Sequence, residues 1–520
     1  MALQVEQLAW SAENRGHEVA YRRVDTGDEL TFGEWDAAAN RLARGLRSAG
    51  VGTGDRVSIY LDGDRVHAWI ISYAAVHKAG AVAVPTNTRL SPEELATVLG
   101  HAEPVAVITS AELARNLAPV RQQLPSVTTV VEVDTGGLEA TMSEDDSPFQ
   151  EQVGEDDLAD IMYTSGTTGL PKGIAVRHAN LHILPNGEPE WTGAEWIHSS
   201  PLFTFAGISF IYNPMKMGMA CNYMPRFDAG RWLEAVEQRR PTMAFLVPAM
   251  AQLIATSDRF EEADLSSLEM VAIGSAPLPA SLHRRLAHRM PEATVSNNYS
   301  LTEAGTAFAF LPREELDRRA GSVGIPLGTE VRIVDPAGSH TGADDSGGDP
   351  EPLPPGEIGE VMIHVGDRHR EYFRDPEATA QTWSGEWLHS GDLGWLDEDG
   401  YLYITGRAKD VIIRGGNNIH AADVEAVLYQ HPAVKEVAVA AVPHDVLGED
   451  VGAWVVLNDD SDLLTGAPAP EVAARTLMDF CSEHLADYKC PRSVTFMEEL
   501  PRNPTGKVLK RDLPPATSQQ

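Results

Sequence analysis

Cysteine is scarce: Cys221, Cys481 and Cys490 are the only three in 520 residues. They are too few and too scattered for a disulfide framework or a cysteine zinc site, and they read as thiols of a reducing compartment. Basic residues are scarce as well. Asp and Glu total 76 against 41 Lys and Arg, a formal net charge of -35. A field of that sign repels nucleic acid and anionic lipid, so an anionic substrate needs local cations of its own. No run of 18 apolar residues occurs, and the nearest, residues 70–85, is interrupted by His77 and Lys78. The N-terminal stretch carries Glu6 and Glu13 and lacks the basic-then-apolar pattern of a secretory signal. These absences predict a cytoplasmic protein with no nucleic-acid partner and no membrane insertion.

What is present is the balance of a folded chain, with 43% hydrophobic and 22% charged residues. The length calls for several structural units. Thr31 and Glu34 form a capping-box pattern, followed by Trp35, Ala38, Leu42 and Leu46 at helical spacing. Ser91, Pro92 and Glu94 make a second helix start. Short β-rich runs at residues 56–61, 81–85 and 105–109 alternate with these helices, which argues for an α/β region with largely parallel sheets. Residues 335–360 are rich in Asp, Glu, Gly and Pro and lack Lys and Arg. They read as a solvated loop between strands at 330–334 and 360–365. A boundary falls near Lys409. Beyond it, helical patterns at 422–430 and 471–485 and strands at 434–442, 450–456 and 493–496 suffice for a small α+β domain with its own core.

Residues 163–173 carry the strongest chemical signal. A strand-like run, 158–163, leads into Thr164, Ser165, Gly166, Thr167, Thr168, Gly169 and Lys172. Glycines permit close backbone approach, and the amides, hydroxyls and one lysine make a nest for phosphate oxygens. The spacing is not that of a Walker loop. Taken alone, the stretch could also be an ordinary flexible turn.

The loop does not stand alone. Asn298, Tyr299, Ser300, Leu301, Thr302 and Glu303 resemble the Tyr-Gly-x-Thr-Glu element of the AMP-forming acyl-CoA synthetases, the adenylating enzymes related to luciferase and to peptide-synthetase adenylation domains. Gly274, Ser275, Ala276 and Pro277 are similar to the turn that flanks adenine there. The stretches 389–393, 406–410 and 415–419 match the hinge-side motifs in order, and 501–507 matches the C-terminal lysine motif. The resemblance spans residues 163–507. It implies a large N-terminal domain, 1–408, of two αβ-layered subdomains plus a distorted β-barrel, and a small mobile α+β lid, 409–520.

The resemblance also implies roles. Lys507 would bridge the carboxylate and the α-phosphate of ATP, where two anions must meet. Thr302 would donate to the α-phosphate. Lys172 and the loop amides would hold the outer phosphates, and Glu303 would hold Mg²⁺, a hard cation that suits carboxylate and phosphate oxygen. Asp392 would accept from the paired ribose hydroxyls, with Arg407 reaching ribose or phosphate and Tyr299 stacking on adenine. Gly415 and Gly416 would let the pantetheine of CoA pass close to the backbone, and Lys409 would mark the hinge. Outside the motif context, Lys507, Glu303 and Lys409 would be ordinary surface residues, Asp392 a turn former and Tyr299 a core aromatic.

The family lines its carboxylate pocket from residues 201–224 and 274–305, which implicates Thr204, Phe205, Ile208, Tyr212 and Gly305 here. Thr204 stands where histidine is common. No Asp occupies 204–207, which disfavours an amino-acid substrate. Met215, Met217, Met219 and Met224 cluster nearby and read either as core or as an adaptable pocket wall. The expected partners are a carboxylic acid, ATP and CoA. A carrier-protein phosphopantetheine is the alternative acceptor, a degenerate nucleotide binder is the non-catalytic alternative, and a homodimer is left open.

Overall fold

The structure, a computed structural model, describes residues 2–164, 171–181, 184–305, 308–327, 329–336, 351–366, 369–444, 446–458, 461–465, 469–502 and 508–516. Among these residues the strands form four main sheets.

One sheet of six strands runs in the order Thr129–Glu132, Ala106–Thr109, Arg56–Tyr60, Val82–Pro85, Leu158–Thr164, Lys172–Arg177. All its pairings are parallel except the last. The central strands are buried along their length, as their unbroken apolar runs require. The helix Phe32–Ser48 starts as the sequence predicts: the Glu34 amide donates to Thr31 Oγ1 at 3.2 Å and the Thr31 amide to the Glu34 carboxylate at 2.9 Å. Its Trp35, Leu42 and Leu46 are fully buried against the helix Val66–Lys78. Ser91 caps Pro92–Ala102 by the same reciprocal device.

A second sheet of seven strands runs Thr294–Asn298, Met270–Gly274, Met243–Leu246, Glu195–His198, Ala220–Tyr223, Val19–Arg23, Glu29–Thr31. Only the last pairing is antiparallel. The helix Phe205–Lys216 connects Glu195–His198 to Ala220–Tyr223, strands that lie side by side, in the βαβ manner. Its two faces meet two different cores. Ile208, Ile211 and Tyr212 join the cluster around Trp35 and Tyr73, whereas Phe210 joins Trp196, Met219, Phe245 and Ala272.

A third, antiparallel sheet pairs Glu330–Val334, Gly359–His364 and Trp387–Leu396, the last also with Leu402–Arg407. Most of the acidic segment expected to loop out before residue 359 lies outside the described residues. The C-terminal sheet contains Val411–Arg414, Asn417–His420, Val434–His444, Gly448–Leu457 and Ser493–Phe496, covered by the helices Ala421–Leu428 and Pro470–His484. Among the described residues, no helix is long and apolar enough to cross a membrane.

The methionine group divides. Met215 packs in the Trp35 core, Met224 in the core around Trp232, and Met217 and Met219 beside Phe210. It is not a single pocket wall. Lys216, at the end of the Phe205–Lys216 helix, is 8% exposed and donates to the Leu184 carbonyl at 2.7 Å. Burial pushes its pKa down to about 7. Between that value and the ordinary lysine value, the unfolded chain binds the extra proton, so this group adds stability as pH rises. Urea denaturation at pH 7 and pH 9 is expected to show wild type gaining about 2 kcal/mol relative to Lys216→Met over that interval; a pH-independent difference would contradict the assignment.

Candidate active site

The carboxyl ends of the parallel strands in the seven-stranded sheet supply the first side of the site, the usual ligand position of such sheets. Met270–Gly274 and Thr294–Asn298 end side by side, Gly274 opposite Asn298. A Cβ on Gly274 would lie 3.1 Å from the Asn298 carbonyl oxygen, a tight contact that glycine avoids. Ser275 turns with φ of +71°, a left-handed conformation uncommon outside glycine. Ser275 and Ser300 are exposed, Ala276 and Asn298 half-buried. The expected adenine-flanking turn and the Tyr299–Glu303 segment are thus brought together.

Asp392 lies 5% exposed on Trp387–Leu396, directly across from Arg407 on Leu402–Arg407. Arg407 Nε is 3.0 Å from Asp392 Oδ1, and the Tyr299 hydroxyl donates to Oδ2 at 2.6 Å. The third sheet thereby meets the second at this carboxylate. Burial, and then the Asp392 charge, raise the Tyr299 pKa far above the ordinary tyrosine value, which keeps the phenol a donor. The preceding turn is held by Glu360, whose Oε1 accepts from the Gly391 amide at 3.2 Å and whose Oε2 lies 3.3 Å from His389 Nδ1. Gly391, at φ +67°, makes the bend that presents Asp392.

Thr302 and Glu303 are fixed by residues that the sequence reading passed over. Arg370, 2% exposed, donates to the Thr302 carbonyl at 2.7 Å and to the Asn180 carbonyl, and it covers the Phe205 ring at 5.0 Å. Gly305, at φ +79°, packs on the same guanidinium, where a Cβ would meet Nη2 at 3.2 Å. Burial pushes the Arg370 pKa down to about 10, with Asp160 and Glu303 acting against it. Tyr372 donates to Glu303 Oε1 at 3.0 Å, and Lys172 Nζ sits 5.1 Å over the Tyr372 ring. Tyr372 thus contacts Lys172 through its ring and Glu303 through its hydroxyl. Thr164 pairs with Lys172 at the mouth of the loop between their strands. Ser165, Gly166, Thr167, Thr168, Gly169 and Lys507 lie outside the described residues. No motif marks Arg370 or Tyr372; a lone arginine and tyrosine in a polar stretch carry no spacing signal.

Thr204 is a helix cap: its Oγ1 accepts from the Gly207 amide at 3.1 Å and donates to the Pro201 carbonyl at 2.7 Å. Phe205 does reach the site, beneath Arg370. Ile208 and Tyr212 are buried in the Trp35 core, against which Phe205 also packs. The face that meets the second sheet carries Ala206 and Phe210, one helical turn apart. Gly415 and Gly416, both at positive φ, turn the hairpin between Val411–Arg414 and Asn417–His420, with the Gly415 amide donating to the Leu447 carbonyl at 3.0 Å. Among the described residues, no hydrogen bond or ion pair joins that hairpin to the Asp392 group. Lys409 lies in a single turn, Ala408–Asp410, immediately after Arg407, and its pKa is lowered, burial being the main cause.

The residues also fit magnesium in the way phosphate enzymes use it. Among the described residues no group of three carboxylate, His or Cys side chains is placed to hold a metal ion by itself. Mg²⁺ typically takes one or two carboxylates and completes its shell with phosphate and water, and Glu303 can supply one.

Comparison with known proteins identifies the family. Residues 8–372 match the AMP-binding enzyme family and residues 423–507 the AMP-binding enzyme C-terminal domain. The chain is 37% identical over 494 residues to a feruloyl-CoA synthase of Amycolatopsis sp, spanning 94% of each chain. It is 33% identical over 499 residues to a long-chain-fatty-acid–CoA ligase of Mycobacterium tuberculosis, again 94% of each. A crystal structure of an anthranilate CoA ligase in complex with anthranoyl-AMP superposes with a TM-score of 0.84 at 27% identity, covering 97% of this chain and 95% of that one. The fold and site thus define an adenylate-forming ligase, and the chain belongs to the AMP-forming acyl-CoA synthetases of the AMP-binding enzyme family.

Arg370 offers a test of how the site is held. Arg370→Met removes both carbonyl contacts and leaves two half-buried acceptors without that donor, at no more than about 1–3 kcal/mol for each. Hydrogen exchange at residues 302–305 should accelerate and the unfolding midpoint should fall; unchanged exchange in that segment would show that the guanidinium does not hold it.

Proposed function

We propose that this chain activates a non-amino, mostly apolar carboxylic acid (fatty, aromatic or alicyclic) as an acyl-adenylate and passes the acyl group to the thiol of CoA, in the cytoplasm. The observation that carries this reading is the convergence of Tyr299, Asp392 and Arg407 beside Thr302, Glu303 and Lys172 at the ends of parallel strands.

The reaction balances as two displacements. A carboxylate oxygen bonds to the α-phosphorus of ATP, and the bond to the β,γ-phosphates breaks, releasing pyrophosphate. The thiol sulfur then bonds to the acyl carbon, the carbon–oxygen bond breaks, and AMP leaves while the thiol gives up its proton. In the first step Lys507 screens the meeting of carboxylate and phosphate, and Thr302 donates to the α-phosphate. Asp392 accepts from the ribose hydroxyls, with Arg407 alongside. Lys172 and the 164–169 loop hold the outer phosphates. Magnesium, held by Glu303, supplies charge neutralisation at those phosphates when bound. Preorganised charge of this kind is effective because the site need not reorganise as charge shifts. For the second step the reading takes residues 1–408 as the adenylating body and 409–520 as a mobile lid turning at Lys409, which presents the Gly415–Gly416 hairpin to pantetheine.

A second acceptor, the phosphopantetheine of a carrier protein, is favoured by one feature. Ile413 and Val446, 54% and 85% exposed, stand beside the glycine hairpin and would suit a protein surface. Pyrophosphate release in the presence of an acid panel, with thioester formation on free CoA, supports the CoA reading; thioester formed only on a carrier protein supports the other. Lys507→Ala is expected to abolish acyl-adenylate formation while leaving thioesterification of supplied adenylate measurable. Adenylation at the wild-type rate would remove that lysine from the mechanism.

A further inference from the structure

His198 ends the strand Glu195–His198, flanked in register by Tyr223 on one side and Phe245 on the other. It is 1% exposed. Its Nδ1 accepts from the Ser200 amide at 3.3 Å, so the ring proton resides on Nε2. Burial pushes the pKa down to about 3, so the ring is neutral at physiological pH. Yet Nε2 is buried with no hydrogen-bond partner among the described residues. Two residues earlier, on the same face of the sheet, Trp196 Nε1 is in the same condition. Both rings pack on Phe210, with centroids 5.1 Å away for Trp196 and 5.2 Å for His198.

Two unsatisfied buried donors on one strand face are costly, about 1–3 kcal/mol each. A trapped water normally needs two to four polar partners, and the aromatic rings around this spot offer few. The position is also continuous with the reaction site. Phe245 contacts Phe210 at a ring distance of 4.6 Å, and a Cβ on Gly274 would touch Phe245 at 3.5 Å. At the other end of the same helix, Phe205 lies under Arg370 beside Thr302. The axial rise from Phe205 to Phe210 is ~7.5 Å, the span of one aromatic ring with a short spacer.

We propose that His198, assisted by Trp196, is a specificity residue whose ring N–H donates to an oxygen at the end of the acyl group remote from the carboxylate. This rests on the acyl-adenylating reading above and narrows it: the substrate is a mostly apolar acid bearing a hydrogen-bond acceptor, such as a phenol, aryl ether or ketone oxygen. Few, well-placed polar groups in an apolar pocket fix orientation in this way.

The test measures kcat/KM for pyrophosphate release with 3-phenylpropenoic acid and its 4-methoxy and 4-ethyl derivatives. The last two are close in shape, and only the methoxy group accepts a hydrogen bond. Wild type is expected to favour 4-methoxy over 4-ethyl by about 10- to 100-fold. In His198→Phe that ratio should collapse toward one, and in His198→Asn, which retains a donor, it should fall between. A wild-type ratio of one or below overturns the proposal without requiring any variant to fold, and so does a ratio unchanged in His198→Phe. Pyrophosphate release from all three acids with no preference sinks this inference alone; release from none of these, nor from a wider panel of fatty and alicyclic acids, sinks the acyl-adenylating reading beneath it.

Discussion

A single buried guanidinium ties together segments that the chemistry needs in one place. Arg370 binds the backbone of Asn180, which follows the strand Lys172–Arg177, and of Thr302, which follows the last strand of the second sheet, while covering Phe205 at the head of the helix between the sheets. These positions lie far apart in sequence. Its two terminal nitrogens donate to backbone carbonyls and the guanidinium lies over an aromatic face, so it serves as a clamp for backbone. Immediately after it, Tyr372 carries the same linkage outward to Glu303 and Lys172.

Around that clamp the electrostatics are local. The chain as a whole carries a net charge of -35, a field that opposes binding of a triphosphate and a carboxylate. In the candidate site Arg407 pairs with buried Asp392, and Lys172 lies over the Tyr372 ring, whose hydroxyl binds Glu303. Asp392 is shared between a guanidinium on its own sheet and a phenol just past the last strand of the second sheet, a contact that links the two. An acidic exterior and a few positioned cations are compatible because screening and distance weaken the first much more than the second.

Much of this was legible in the sequence, for reasons that differ between fold and site. Helix starts at Thr31 and Ser91 were readable because capping is a local chemical signal, and the strands at 56–61 and 493–496 because β-rich runs between turns are equally local. The nucleotide-facing motifs were readable because they occur in a fixed order. Other features depend on which distant elements meet. The Phe205–Lys216 helix is apolar on two faces, so periodicity alone cannot say that Phe210, and not Tyr212, meets the second sheet. Thr204 as a cap, Arg370 as a clamp and the unpartnered donor of His198 all follow from tertiary placement. The glycines and hydroxyls of residues 165–169, with Lys507, were legible from motif order alone and lie outside the described residues.

The central claim is that ATP energy is captured as a mixed anhydride between the acid and AMP. The most direct measurement follows oxygen. With a carboxylic acid labelled with ¹⁸O in its carboxylate, one labelled oxygen should appear in the phosphate of AMP after turnover with CoA, because that oxygen bonds to the α-phosphorus and stays there when the thiol takes the acyl carbon. Label in pyrophosphate or orthophosphate, or unlabelled AMP from an active enzyme, would contradict the account.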